Sequence, residues 1–177
     1  MAASLEAIPV ADRILYRAHS PRYAYAPLSG AGAGTTGGRW NAPGDEALYL
    51  TADPTTAILE TQPDLDSFKP VTLVSYVLSD AQLFDTRDPA GHASHRISRE
   101  LLRTNWYTHV IEKTEAPTWA LAKRLAREGF HGLSYASMLN NLENVVLWSW
   151  NRPGGAKLRV IDHDRRLPQN QRSWESE

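Results

Sequence analysis

The stretch GGRWNAPGDEALYLTADPTTAILET, residues 37–61, runs from a glycine-rich loop through a short strand into a helix. Residues 47–51 alternate, with Leu48 and Leu50 on one face and Ala47, Tyr49 and Thr51 on the other, the pattern of a strand. Asp53-Pro54 supplies an N-cap and a proline at the first helical position, opening a helix through about Thr61 that Pro63 stops. Outward from this segment, strands are expected at 14–17, 71–78, 132–137, 145–150 and 157–162. VTLVSYVL at 71–78 carries the strongest β signal, being β-branched and aromatic-rich. A second helix is expected over 117–128, with Leu121, Ala122 and Leu125 on one face and Gly129 in the C′ position. A third is expected over about 94–107. Strands and helices do not alternate as regular βαβ units, so the expected class is α+β with a largely antiparallel or mixed sheet.

The chain has 177 residues, enough for one core without covalent staples, and no cysteine. That excludes a disulfide scaffold, thiolate zinc sites and a cysteine nucleophile. Nineteen Lys and Arg against 20 Asp and Glu leave a net charge of −1, so there is no bulk electrostatic footprint for nucleic acid or an anionic membrane. No apolar run approaches a membrane span, and MAASLEAIPVADR lacks the pattern of a signal peptide. The expectation is a cytoplasmic protein with one domain over 1–164 and a polar tail over 165–177, in which Trp174 is a candidate anchor.

Residues 20–44 read as a long irregular loop, with Pro21, Pro27 and Pro43 and five of the eleven glycines between Gly30 and Gly38. A loop of this length inside a domain is a place to look for a site. Gly32, Gly34 and Gly37 match the dinucleotide fingerprint G-x-G-x-x-G by letter. They lack the preceding strand and following helix through which that fingerprint works. His92 and His95 could share a helix face, but no carboxylate pattern makes them a metal site, and solvated histidines are expected. Asp162-His163-Asp164 reads as a turn. Ser137 lies in no G-x-S-x-G nucleophile elbow.

Four residues stand out, each with a plainer alternative. Arg39 follows two glycines that allow close backbone approach, and its guanidinium offers a forked donor to phosphate or carboxamide; the alternative is a surface arginine. Tyr49 lies opposite the leucines of its strand, as an aromatic wall or a half-exposed sheet residue. Glu60 lies near a helix C-terminus, where the macrodipole opposes its charge, so helix stability does not select it; the alternative is a solvated face. Ser137 ends a strand with the parity of Leu133 and Tyr135, facing a cavity or simply starting a turn.

Taken together these segments resemble the RES-domain family, toxins of bacterial toxin–antitoxin pairs named for an Arg, a Glu and a Ser. ILYRAHSP, GGRWNAPGDEALYLTADPTTAILET and GFHGLSYASMLNNLENVVLW carry the likeness, from about Arg13 to Trp150. The resemblance implies a fold like that of ADP-ribosyltransferases, with an NAD cleft between two small mixed or antiparallel sheets. It implies Glu60, Arg39 and Tyr49 as catalytic residues, and Arg17, Arg39, Trp40, Tyr49 and Ser137 as contacts to NAD, the substrate, with no metal. Core packing is expected for Trp106, Trp119, Trp148 and Trp150.

The implied reaction is cleavage of the nicotinamide–ribose bond through an oxocarbenium-like state. Water or phosphate as acceptor would deplete NAD and arrest growth, the reading preferred here. A protein side chain as acceptor would make the chain a mono-ADP-ribosyltransferase. Such transferases commonly carry a second carboxylate or glutamine two residues before the glutamate, where this chain has Ile58. A non-catalytic binding module is the alternative of another class. The resemblance also implies a hetero-oligomer with an Xre-type helix-turn-helix antitoxin whose C-terminal part plugs the cleft, any contact with nucleic acid belonging to that partner.

Overall fold

A computed structural model describes residues 12–62 and 68–172; Pro63 and Trp174 lie outside them. In chain order the elements are β1 (Arg13–His19), α1 (Ala31–Thr36), β2 (Leu48–Thr51), α2 (Pro54–Leu59), β3 (Thr72–Ser79), β4 (Leu83–Asp85), α3 (His92–His95), α4 (Arg99–Leu102), α5 (Trp106–Glu112), α6 (Pro117–Arg127), β5 (Gly132–Ala136), β6 (Glu143–Leu147) and β7 (Lys157–Val160). The seven strands of the described residues join one sheet in the order β4-β5-β6-β2-β1-β3-β7. Only β4 and β5 run parallel; every other pair is antiparallel. The class is therefore α+β, as the sequence implies.

The two separate small sheets that the resemblance implied are not seen: the strands are continuous, but the joint is thin. Strand β1 pairs with β3 over seven register positions and with β2 through Tyr16 and Thr51 alone. Hydrogen bonding between the halves is thus weakest at β1/β2, where a cavity lies.

Each face of the sheet buries its own core, because side chains alternate along a strand. Leu15, Leu48, Leu50, Val74, Tyr76, Leu78, Val145, Leu147 and Leu158 pack on one side. On the other side Leu121 and Leu125 of α6 cover Leu133, Tyr135 and Val146, with Trp40, Phe84 and Ile97. Helix α6 ends at Gly129, whose φ of +98° favours glycine. At Gly132 a Cβ would stand 2.0 Å from the Val146 carbonyl oxygen, so the start of β5 has no room for a side chain.

Three expectations need correction. The helix expected over 94–107 is broken into α3, α4 and α5. Arg96 closes α3 in the left-handed region and the Ser98 side chain starts α4 afresh by accepting from the Leu101 N–H. Strand β4 was missed; its three residues are too few to show a period, and its pairing with β5 creates it. The 20–44 loop is ordered, and the glycines of the failed fingerprint form or flank the short helix α1. Tryptophans pin this region: the indole N–H groups of Trp150, Trp119 and Trp148 donate to the carbonyls of Leu28 (3.0 Å), Gly38 (2.8 Å) and Trp40 (2.9 Å). Three of the six tryptophans are thereby accounted for.

His19, at the end of β1, is buried beside the Tyr76 hydroxyl, 2.7 Å from its Nε2. That hydroxyl donates to the Pro27 carbonyl at 2.9 Å, so His19 Nε2 carries the proton and donates to Tyr76. Burial, reinforced by the Arg17 charge, pushes the His19 pKa down to about 4. Between that value and the ordinary one near 6.5, the unfolded chain binds more protons, so stability rises with pH across this window. Urea unfolding should give full stability above about pH 6.5 and a loss on the order of 3 kcal/mol as pH falls toward 4. In His19→Gln the loss across that window should shrink by this amount; an unchanged pH profile would remove His19 as its source.

Candidate active site

One row across the sheet makes the floor of a cavity of about 480 Å³. Register places Tyr135 of β5 opposite Asn144 of β6, Asn144 opposite Thr51 of β2, and Thr51 opposite Tyr16 of β1. Cross-strand partners share a face, so four side chains line one surface. Tyr49, Arg39 and Glu60 add walls, and Trp106 of α5 closes another side.

Glu60 caps the C-terminus of α2 and is exposed at this cavity. Its helix is set by Asp53, whose Oδ2 accepts from the Thr56 N–H (2.6 Å) and hydroxyl (2.7 Å), as the Asp-Pro pair predicts. Glu60 Oε1 accepts from Ser137 Oγ and from Asn144 Nδ2, each at 2.8 Å. Asn140 Nδ2 donates to Thr56 Oγ1 at 2.6 Å, tying the loop after β5 to the same helix.

The Arg39 guanidinium lies 5.4 Å from the Trp40 ring centroid and 5.5 Å from that of Tyr135, and donates to the Leu102 carbonyl. Burial lowers its pKa from the usual arginine value, while Tyr135, Glu60 and Tyr49 favour its charged form. Tyr49 presents its ring to the cavity, but its hydroxyl is already used: it accepts from the Trp40 N–H (2.9 Å) and donates to Asn41 Oδ1 (2.7 Å). Gly38 allows this approach, since a Cβ there would stand 2.5 Å from the Tyr49 oxygen. Burial raises the Tyr49 pKa far above that of a free phenol. Burial also raises that of Tyr135, with the Glu60 charge adding to the rise and the Asn144 amide opposing it.

The structure brings Arg17, Arg39, Tyr49 and Glu60 to one cavity. Arg17 turns part of its guanidinium away, donating to the Ser29 carbonyl at 3.3 Å, and burial lowers its pKa. Ser137 reaches the cavity through Glu60 and lines an adjoining groove of about 830 Å³. That groove shares Arg39, Tyr135 and Met138 with the cavity and adds Arg99 and Arg103.

Trp40, expected as a contact to NAD, is 0% exposed and packs in the α6-side core; it does not line this cavity but borders the adjoining groove. Trp106 is corrected from core to cavity wall. His92 and His95 are half-buried, not solvated: His92 Nε2 bonds the Thr86 carbonyl (2.8 Å) and His95 Nε2 bonds Glu128 (2.9 Å). Among the described residues no three His, Cys, Asp or Glu side chains form a group that could hold a metal, and no helix is long and apolar enough to cross a membrane.

Sequence reading missed Tyr16, Thr51, Tyr135 and Asn144. A signal existed for two of them. Tyr135 shares the parity of Ser137, and Asn144 is a polar residue directly before the apolar run from Val145 to Trp148.

Comparison with known proteins gives three likenesses. The RES domain pattern matches residues 14–170. The protein named Toxin Res from Yersinia enterocolitica serotype O:8 / biotype 1B is 46% identical over 48 residues; the match takes in 27% of this chain and 32% of that relative's length. A chain of the crystal structure of the M. tuberculosis MbcT-MbcA toxin-antitoxin complex superposes with a TM-score of 0.62. Its sequence is 18% identical, and the match covers 87% of this chain and 85% of that one. At that identity the structural likeness speaks for the fold alone.

Proposed function

The chain belongs to the RES-domain family, and on that premise we propose that it is the toxin of a toxin–antitoxin pair and cleaves the nicotinamide–ribose bond of NAD. The observation that carries the reading is the held carboxylate: Glu60, fixed by Ser137 and Asn144, faces a tyrosine-walled cavity that Arg39 also lines. Nicotinamide would stack among Tyr16, Tyr49 and Tyr135, and Glu60 would accept from a ribose hydroxyl. As the C1′–N bond breaks, its electron pair goes to the pyridinium nitrogen, so nicotinamide leaves neutral and needs no proton. Positive charge grows on the ribose, where the Glu60 carboxylate stabilises it. Arg39 would meet the diphosphate or carboxamide, and the groove with Arg99 and Arg103 gives the anionic half of the dinucleotide a place.

The acceptor then adds to C1′, water or phosphate losing a proton as it does. Depletion of NAD remains the preferred outcome, since Ile58 occupies the position where side-chain transferases carry a second polar group. We further propose an antitoxin of the Xre type as partner: Met138, at 73% exposure, and Leu139 and Leu142 form an apolar rim that such a partner would cover.

The test is the purified chain with NAD, with and without phosphate, the products resolved by chromatography. Nicotinamide should appear, with ADP-ribose from water or its 1-phosphate from phosphate. No nicotinamide under either condition, with or without added protein acceptors, would refute the reading.

A further inference from the structure

Asn144 is placed in β6 by backbone pairing on both sides, to Tyr135 and to Thr51, and it is 3% exposed. A central strand disfavours asparagine on propensity and favours a β-branched or apolar residue. The hydrogen bonds explain what it does there. A carboxylate only accepts, so the bond to Glu60 requires that the amide nitrogen face Glu60. Among the described residues the amide oxygen is then left without a partner, although it is buried. A lone buried acceptor costs about 1–3 kcal/mol, so local stability does not call for this residue.

Both donors, Ser137 Oγ and Asn144 Nδ2, act on the same oxygen, Oε1. Two bonds occupy its lone pairs, and Oε2 is the oxygen left to accept from a ligand. Glu60 otherwise sits exposed at a helix end, where a long side chain samples several rotamers.

We propose that Asn144 is the positioning residue for Glu60: with Ser137 it clamps Oε1 and turns Oε2 toward the ribose. This rests on the NAD-cleaving reading for its consequence, and on the geometry alone for the clamp. Asn144→Leu keeps the branched four-atom side chain with some added volume, removes the donor and also removes the unpartnered oxygen. The melting temperature should stay within a few degrees of the wild type, the lost orphan acceptor offsetting the tighter packing. Nicotinamide release should fall roughly 10- to 100-fold in kcat with KM within about threefold, since the loss is of orientation and not of binding. In a Glu60→Gln background the same substitution should cost nothing further, because its effect passes through the carboxylate.

Unchanged kcat, or an equal loss in the Glu60→Gln background, would overturn the proposal. If the wild type releases no nicotinamide, the enzymatic reading fails by itself, and a crystal structure of Asn144→Leu decides the clamp. A Glu60 carboxylate displaced or spread over rotamers sustains it; an unmoved one overturns it. Should the leucine variant not fold, Asn144→Val, β-branched as a central strand prefers and likewise without the donor, is judged by the same measurements.

Discussion

Replacing Glu60 by glutamine is expected to lower nicotinamide release about 100- to 1,000-fold, the range for losing a preorganised electrostatic partner of the transition state. The substitution is close to isosteric. The amide oxygen can still accept from Ser137 and Asn144, so the side chain keeps its place and only the charge is lost. Because Glu60 is exposed at a helix C-terminus, stability should stay within about 0.5 kcal/mol of the wild type. Removing a negative charge from that end relieves the macrodipole slightly. Binding of NAD, measured by calorimetry, should change far less than kcat. Steady-state kinetics with unfolding curves separate this result from simple destabilisation, and turnover equal to the wild type would take Glu60 out of the chemistry.

Truncating Trp40 to alanine should produce the largest loss of stability, about 3–5 kcal/mol. The side chain is fully enclosed, its ring 5.7 Å from that of Tyr135 and in the core with Leu121, Leu125 and Leu133. Among the described residues its indole Nε1 has no hydrogen-bond partner, so Trp40→Phe should cost clearly less than alanine: it gives up volume but no polar contact. Urea unfolding followed by far-ultraviolet circular dichroism reads both variants. A direct role in binding NAD would give the opposite signature, a raised KM in an alanine variant of near-normal stability.

How far the sequence reached can be argued from particular residues. The Asp53 cap, the helix that Pro117 opens and Gly129 ends, and the β3 period each depend on neighbours a few positions apart, so they were legible in one dimension. Glu60 drew attention because its charge opposes the helix that carries it, and it proves to be held by residues 77 and 84 positions away. Trp106 was expected in the core and lines the cavity, because an indole suits either place and only the break of the 94–107 segment decides between them.

By itself the sequence determined the α+β class and the absence of thiol chemistry, which are properties of residue type and local period. The carboxylate, arginine and tyrosine that meet at the cavity each had a plainer alternative, and only the resemblance joined them. Tertiary structure decided the rest: that the strands form one sheet with a single-pair joint between β1 and β2, and that Tyr16, Thr51, Asn144 and Tyr135 stand in one row beneath Glu60. The physical reason is register. Hydrogen bonding between strands far apart in the chain sets which side chains share a face and a level, and no local pattern encodes that choice.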